Sequence, residues 1–152
     1  MKKILILGYT LNKDGIYISP TFSEMKNKKL GAKQIILSIQ DIIKKKINFN
    51  EDYAGLVLPL ITPSDINGDF SVYGHKDNLI NPYSDFANQF LQTYKDKMSE
   101  LPQILIYTNN NLTHLEETKD NIENEKMKGI EFIISNLKLK EEYIKWIKKI
   151  IK

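Results

Sequence analysis

Five short runs of apolar residues constrain the fold of this chain more than any other feature of its sequence. Each run is only three to five residues long and is rich in Ile, Leu and Val, which is typical of strands buried on both faces. The predicted strands lie at residues 3–7, 34–38, 54–58, 104–108 and 132–134. Segments with helical periodicity separate them, and this alternation predicts an α/β domain with a parallel sheet and helices on both faces.

Local signals predict where the first two helices lie. Ser19 and Pro20 combine an N-cap serine with a proline at the first helical position, and Gly31 is predicted to close that helix. A second helix is predicted from Ile39 to Ile47, with its isoleucines on one side.

The later helices have similar signals. Asn81-Pro82 repeats the cap-plus-proline pattern before an apolar stripe that runs from Tyr83 to about Met98. Thr113-x-x-Glu116 is a capping box, and Gly129 is predicted to end the helix that it opens. A last helix over 140–151 is predicted to bury Ile144, Ile147 and Ile151 and to pack Trp146 onto the sheet.

Length and composition exclude several classes of protein. A chain of 152 residues with 41% hydrophobic and 27% charged residues predicts one globular domain over 1–152. No apolar run approaches the roughly 18 residues of a membrane span, and the first eight residues are too short for a signal peptide, so we expect a cytoplasmic protein with no membrane partner. The chain has no cysteine, which excludes thiol catalysis, disulfides and cysteine-ligated metals.

All 22 positive residues are lysine, so a guanidinium clamp on phosphate is excluded. Ile, Lys and Asn together make up 59 residues, which indicates an AT-rich, bacterial-type coding sequence. The net charge of +3 is too small to predict a nucleic-acid partner. It is unevenly spread, however: residues 1–50 carry +7, residues 51–125 carry −9 and residues 126–152 carry +5.

Parallel sheets bind ligands at the carboxyl ends of their strands, so three loops are candidates for a site. They span Gly8–Ile18, Ile61–Asn81 and Asn109–Leu112. All three are rich in neutral hydrogen-bonding residues, and the second and third fall in the acidic middle of the chain, so this edge is expected to be acidic. The same residue types also form ordinary turns.

No pattern of metal ligands or catalytic triad accompanies these loops. His75 and His114 have no metal-ligand spacing to another histidine or a carboxylate, so we expect no metal and assign no catalytic residue. An enzyme that acts on a nucleotide through Asp65 or Asp69 stays open as an alternative.

Two segments quoted as they stand, GAKQIILSIQDI with DYAGLVLPLITPSDINGDF and PQILIYTNNN, resemble the second to fourth strands and adjoining loops of short flavodoxins and related flavin reductases. EEYIKWIKKI is similar to the terminal helix of that family. The resemblance implies a three-layer flavodoxin-like fold with strand order 2-1-3-4-5. It also implies non-covalent binding of FMN, electron transfer, and a redox partner protein at the acidic loop edge.

By this resemblance the FMN phosphate lies in the first loop and the isoalloxazine ring between the second and third. Either Tyr73 or Tyr83 would stack on the ring. The implied cofactor-binding residues are Thr10, Asn12 and Gly15 in the first loop, Thr62, Ser64 and Asp65 in the second, and Thr108, Asn109 and Asn110 at the third.

The third strand also resembles that of response-regulator receivers, through Tyr53 to Leu60, Pro63 and Gly68. Pro59 stands where a receiver carries its phosphoacceptor aspartate, and Gly8 and Tyr9 replace its paired acids. This second resemblance implies a non-catalytic interaction domain without a cofactor, which is the alternative to a flavoprotein.

Overall fold

The structure is a computed structural model that describes residues 2–10, 16–38, 53–60, 62–63, 83–84, 87, 90–91, 103–108, 112–134 and 137–152. The strands are β1 (Lys3–Thr10), β2 (Ile16–Tyr17), β3 (Lys33–Ser38), β4 (Tyr53–Pro59), β5 (Thr62–Pro63), β6 (Tyr83–Ser84), β7 (Gln103–Tyr107) and β8 (Ile130–Ile133). The helices are α1 (Pro20–Met25), α2 (Leu112–Asn124) and α3 (Leu139–Ile150), and residues 87, 90 and 91 are also helical.

Five strands form one parallel sheet in the spatial order β3-β1-β4-β7-β8. Numbered along the chain, these parallel strands have the order 2-1-3-4-5, which confirms the predicted flavodoxin-like α/β fold. β1 and β3 pair in register from Lys3 with Lys33 to Gly8 with Ser38. The short β2 is antiparallel to the end of β1, where Thr10 pairs with Ile16.

Residues of each central strand alternate between two hydrophobic layers, one on each face of the sheet. Leu5 and Leu7 of β1 belong to a layer that also contains Phe90 and, on α2, Leu115. Ile4 and Ile6 belong to the other layer, which α1 and α3 cover. The four β1 residues are 0% exposed, so the apolar run is buried on both faces as predicted.

Helix α3 packs closely on the sheet at Gly55. A Cβ built on Gly55 would lie 2.5 Å from Trp146 Cη2, so only glycine allows this approach. Trp146 is 2% exposed, which confirms the predicted packing of the last helix, and its Nε1 lacks a hydrogen-bond partner within the described part of the chain. Helix α3 buries Leu139, Tyr143, Trp146 and Ile147, whereas Ile144 and Ile151 are only partly buried.

A buried hydrogen-bond network joins α3, β3 and the end of α1. The Tyr143 hydroxyl donates to Gln34 Oε1 over 2.9 Å, and Gln34 Nε2 donates to the Met25 carbonyl over 2.7 Å. The last carbonyls of a helix have no partner within the helix. The Gln34 side-chain amide donates to one of them, the Met25 carbonyl at the end of α1. Burial raises the pKa of Tyr143 above its ordinary value of 10.0.

Helices α1 and α2 end earlier than predicted from Gly31 and Gly129. α1 ends at Met25 rather than beside Gly31, because the Met25 carbonyl accepts from the Lys28 N–H in a turn and from Gln34 Nε2 instead of continuing the helix. α2 begins at Leu112, so Thr113 lies inside it rather than capping it, and it ends at Asn124 rather than near Gly129. Both glycines do have positive φ, 85° and 77°, in the connections that follow.

Two other predicted helices have different outcomes. Tyr83 and Ser84 are strand residues, so the predicted helix start at Pro82 is wrong, and Ala87, Phe90 and Leu91 are helical and buried. The predicted helix over residues 39–47 lies outside the described residues.

Candidate functional site

The carboxyl ends of the parallel strands define the candidate site, and three central strands reach it with their backbones fixed. β1 ends at Thr10, β4 at Pro59 and β7 at Tyr107. The Leu60 N–H donates to the Tyr107 carbonyl over 2.9 Å, and the Thr108 N–H donates to the Ile133 carbonyl over 2.9 Å. These bonds continue the sheet one residue past the strand ends. β1, β3 and β4 also meet at the switch point, where chain order reverses and such sheets bind ligands.

Four of the predicted site residues lie in the described part of the chain, all beyond or at these strand ends. Thr10 closes β1, Thr62 begins β5 and Tyr83 begins β6, each known from its backbone alone. Thr108 follows β7 directly and is 7% exposed. The other predicted residues, Asn12, Gly15, Ser64, Asp65, Tyr73, Asn109 and Asn110, lie outside the described residues, so their assignment stays a prediction.

A short antiparallel ladder contains two of these residues, Thr62 and Tyr83. Thr62 pairs with Ser84 and Pro63 pairs with Tyr83, although about twenty residues of sequence separate the two strands. The Ala87 N–H then donates to the Leu60 carbonyl over 3.1 Å, which fixes the return of the chain beside the end of β4. Tyr83 is therefore held at the carboxyl edge opposite Pro63, four residues beyond the end of β4.

The first loop differs from its predicted form. The sequence predicts a loop over residues 8–18, but β1 continues through Gly8 to Thr10 and pairs with β2. Only Ile18 and Ser19 separate β2 from α1. The chain thus forms a hairpin at the place where the resemblance implies a phosphate-binding loop.

The start of α1 does not fit a flavodoxin-type phosphate cradle. Such a cradle needs several backbone N–H groups pointing at the anion from a helix N-terminus. Pro20 has no N–H, and the Phe22 N–H donates to the Ser19 carbonyl over 3.0 Å. With only six residues, α1 also adds little dipole. The N-terminus of α1 therefore does not supply the phosphate cradle that the resemblance implies.

The sequence reasoning missed two hydroxyl residues at this edge. Ser38 ends β3, is 2% exposed and pairs in register with Gly8. Ser84 pairs with Thr62 on the β5–β6 ladder. Ser38 could have been found from its place at the end of the second predicted strand, whereas no local signal predicts the pairing of Ser84.

Two further findings concern the described residues alone. Within them, no group of three or more His, Asp or Glu side chains is placed to hold a metal ion. None of their helices is both long and apolar enough to cross a membrane. The acidic character expected of the carboxyl edge depends on the segment from 61 to 81, most of which lies outside the described residues.

Comparisons of the chain with protein-family models, with curated proteins and with solved structures find no match. The function must therefore be argued from the geometry of the carboxyl edge itself.

Proposed function

We propose that the carboxyl edge of the sheet binds FMN, with the isoalloxazine ring beside the β5–β6 ladder. The observation that carries this proposal is the ladder itself, in which Tyr83 pairs with Pro63 just beyond β4. In a doubly wound sheet of this strand order, the loop after the third parallel strand borders the ligand crevice. An aromatic residue held there supplies a stacking surface, and the neighbouring hydroxyl groups supply hydrogen bonds.

The protein's part in this function is binding and orientation. Tyr83, or Tyr73, stacks on the ring, Thr108 with Asn109 and Asn110 borders it on the β7 side, and Thr62, Ser64 and Asp65 border it on the β5 side. Thr10, Asn12 and Gly15 of the first loop bind the phosphate through hydroxyl, amide and backbone N–H groups. A bound flavin supplies the redox chemistry, which belongs to the cofactor rather than to the chain.

A spectrum and a titration test this proposal. The purified protein is expected to be yellow, with absorption bands at roughly 370 and 450 nm that any bound isoalloxazine imposes. Stripped protein is expected to quench the fluorescence of added FMN in a saturable way. A colourless protein that leaves FMN fluorescence unchanged would overturn the proposal.

Variants at Tyr83 test the assignment of the ring contact. Stacking of an aromatic side chain on a base-like ring contributes about 1–3 kcal/mol, so Tyr83→Ala should weaken FMN binding by at least about fivefold. Tyr83→Phe keeps the stacking surface and should bind FMN nearly as the parent does. If Tyr83→Ala binds like Tyr83→Phe, the same pair of substitutions at Tyr73 decides whether that residue is the ring contact.

A second candidate function is a non-catalytic interaction domain, and a specific observation favours it. The β1–β2 hairpin and the proline-initiated α1 stand where a flavodoxin has its phosphate loop. In this case the protein does not bind FMN and instead binds a basic partner protein through the acidic residues of the second loop. Capture of such a partner should weaken with added salt and in the Asp65→Lys, Asp69→Lys variant.

A further inference from the structure

Lysine side chains crowd the edge of the sheet opposite to the candidate site. Seven exposed lysines lie on elements that meet there, and we call them the amino-edge lysines: Lys2, Lys26, Lys28, Lys29, Lys33, Lys148 and Lys152. They come from three parts of the sequence, so their proximity is a property of the fold and not of a charged run.

The topology brings these three parts together. β1 and β3 begin side by side, and the Lys33 N–H donates to the Lys2 carbonyl over 2.8 Å. The connection from α1 to β3 carries Lys26, Lys28 and Lys29 to the same edge. The C-terminal end of α3 closes on this connection, because a Cβ built on Gly31 would lie 2.8 Å from Ile151 Cδ1.

Few acidic side chains on these elements oppose the amino-edge lysines. β1 and β3 contain none. Glu24 on α1 pairs with Lys140 over 2.9 Å and interacts more weakly with Lys28, and Glu131 on β8 pairs with Lys149, which is outside the group. The two glutamates of α3 lie in its first turn, at the opposite end of the helix.

Coding bias explains the number of lysines but not their location. An AT-rich sequence would place lysine on every exposed surface. Helix α2 contains only Lys119 against four acidic residues, Glu116, Glu117, Asp120 and Glu123. Within the described part of the chain, lysine is therefore unevenly distributed among the elements, and the net charge of +3 does not show this.

We propose that the amino-edge lysines bind the phosphate backbone of a nucleic-acid duplex without regard to its sequence. Lysine ammonium groups neutralise phosphates as point charges, and the chain has no arginine to read guanine by paired hydrogen bonds. Tyr53 at the start of β4 is half-buried beneath Lys3, whose Nζ lies 6.0 Å from the ring centroid. It therefore offers no open platform for the stacked bases of a single strand.

A duplex fits this edge better than an anionic membrane does. A polybasic surface holds to a membrane stably only when an apolar group also inserts. Among the residues that the structure describes, the large hydrophobic side chain that is strongly exposed is Leu137, at 95%. It precedes the N-terminus of α3, at the other end of that helix from Lys148 and Lys152.

Fluorescence anisotropy of labelled 20-base-pair DNA duplexes tests the proposal. We expect saturable binding in 25 mM KCl, with two unrelated sequences bound within about twofold of each other, because phosphate contacts carry no sequence information. A plot of log affinity against log salt should be linear, with a slope of about −0.9 for each phosphate contacted.

Two triple variants with the same loss of charge locate the surface. Lys28→Gln, Lys29→Gln, Lys33→Gln should weaken binding at least tenfold in 50 mM KCl and should flatten the slope by about 2 to 3, one phosphate contact for each lysine. The control, Lys119→Gln, Lys138→Gln, Lys145→Gln, removes three lysines outside the group. It should bind within about twofold of the parent.

Three outcomes would overturn the proposal. The first is no binding in 25 mM KCl, and the second is an equal loss in both triple variants, which would show a diffuse effect of net charge. The third is binding to vesicles containing phosphatidylglycerol by a protein that does not bind the duplex, which would assign the edge to a membrane. None of these measurements involves FMN, so the proposal stands or fails separately from the proposed function.

Discussion

Tyr143 is held in place by both packing and a hydrogen bond. Its ring is 0% exposed, packs edge-on against Phe22 with centroids 5.0 Å apart, and lies against Trp146. Its hydroxyl is the donor to Gln34 Oε1, and Gln34 in turn holds the end of α1. One side chain on the last helix thus fixes the position of the first helix and of an outer strand.

Replacing Tyr143 with Phe should lower the free energy of unfolding by about 1–3 kcal/mol, because Gln34 Oε1 would stay buried without its donor. The raised pKa of Tyr143 adds a dependence on pH. Since the unfolded chain loses this proton at its ordinary pKa of 10.0 and the folded protein retains it, stability is complete below pH 10 and decreases above it. Urea unfolding between pH 8 and 11 measures both effects.

The comparison of parent and variant isolates Tyr143 from the lysines that titrate in the same range. The difference in stability between them should shrink above pH 10, by up to about 1.4 kcal/mol for each pH unit. A difference that stays constant across this range would show that Tyr143 ionises equally in both states.

Gly55 is a second residue on which the packing of a whole helix depends. A Cβ there would lie 2.5 Å from Trp146 Cη2, 2.7 Å from Ile150 Cδ1 and 2.9 Å from Ile4 Cδ1. Gly55→Ala should therefore destabilise the fold by about 1–3 kcal/mol through overpacking. The cost should be smaller in a Trp146→Phe background, where the nearest atom is gone. Equal costs in both backgrounds, measured by urea unfolding, would contradict this account.

At the scale of elements, α2 ends in a hydrogen-bonded motif that the sequence does not predict. The Lys126 N–H donates to the Glu123 carbonyl over 3.1 Å, and the Met127 N–H donates to the Ile122 carbonyl over 3.0 Å. This pair of bonds is a Schellman motif, in which the C′ residue takes a left-handed conformation. That residue is Lys126, with φ of 55°, at a position that usually holds glycine.

Lys126→Gly should therefore stabilise the protein, because a side chain in the left-handed region costs about 1–2 kcal/mol and glycine avoids most of it. After the entropy that glycine loses on folding, we expect a net gain of about 0.5–1 kcal/mol in the free energy of unfolding. Thermal or urea unfolding measures it. Lys126→Ala is the matched control, since it removes the charge but keeps the Cβ, and a gain of equal size in that variant would refute the backbone explanation.

The predicted elements succeed where burial decides them and fail where a few hydrogen bonds do. All five parallel strands follow from apolar runs, because a strand covered on both faces needs apolar residues throughout. Gln34 and Lys126 lie at the ends of α1 and α2, and neither residue type is a usual signal for a helix end. The β5–β6 ladder joins residues far apart in sequence, so local patterns could not predict it. The edge that carries the candidate site could be predicted, whereas the partners at that edge could not.

At the scale of the whole molecule, the basic first and last blocks of the sequence come together. They supply the amino-edge lysines, whereas the candidate site lies at the carboxyl ends of the strands. The two proposed sites thus lie at opposite ends of the same strands, about 15–25 Å apart for strands of five to eight residues at 3.3 Å each. This distance exceeds the Debye length of about 8 Å at physiological salt, so the charges of one site should not affect binding at the other.

The two hydrophobic layers share every central strand, and this predicts that they unfold together. Leu58 faces the layer that α2 covers, whereas Val57 beside it faces the layer of α1 and α3. Trp146, the single tryptophan, reports only on the second layer. Leu58→Ala removes a side chain that is 0% exposed, and a buried truncation of this kind costs about 2–5 kcal/mol.

If the sheet couples the layers, the Trp146 fluorescence transition of Leu58→Ala should move to lower urea by the same amount as the far-ultraviolet circular dichroism transition. The coincidence is expected because β4 cannot lose its packing on one face and keep its pairing with β1 and β7. Leu137→Ala, at a residue that is 95% exposed, is the control and should move neither midpoint. A fluorescence midpoint that stays at the parent value while the dichroism midpoint falls would show that the layer of α1 and α3 unfolds as a separate unit.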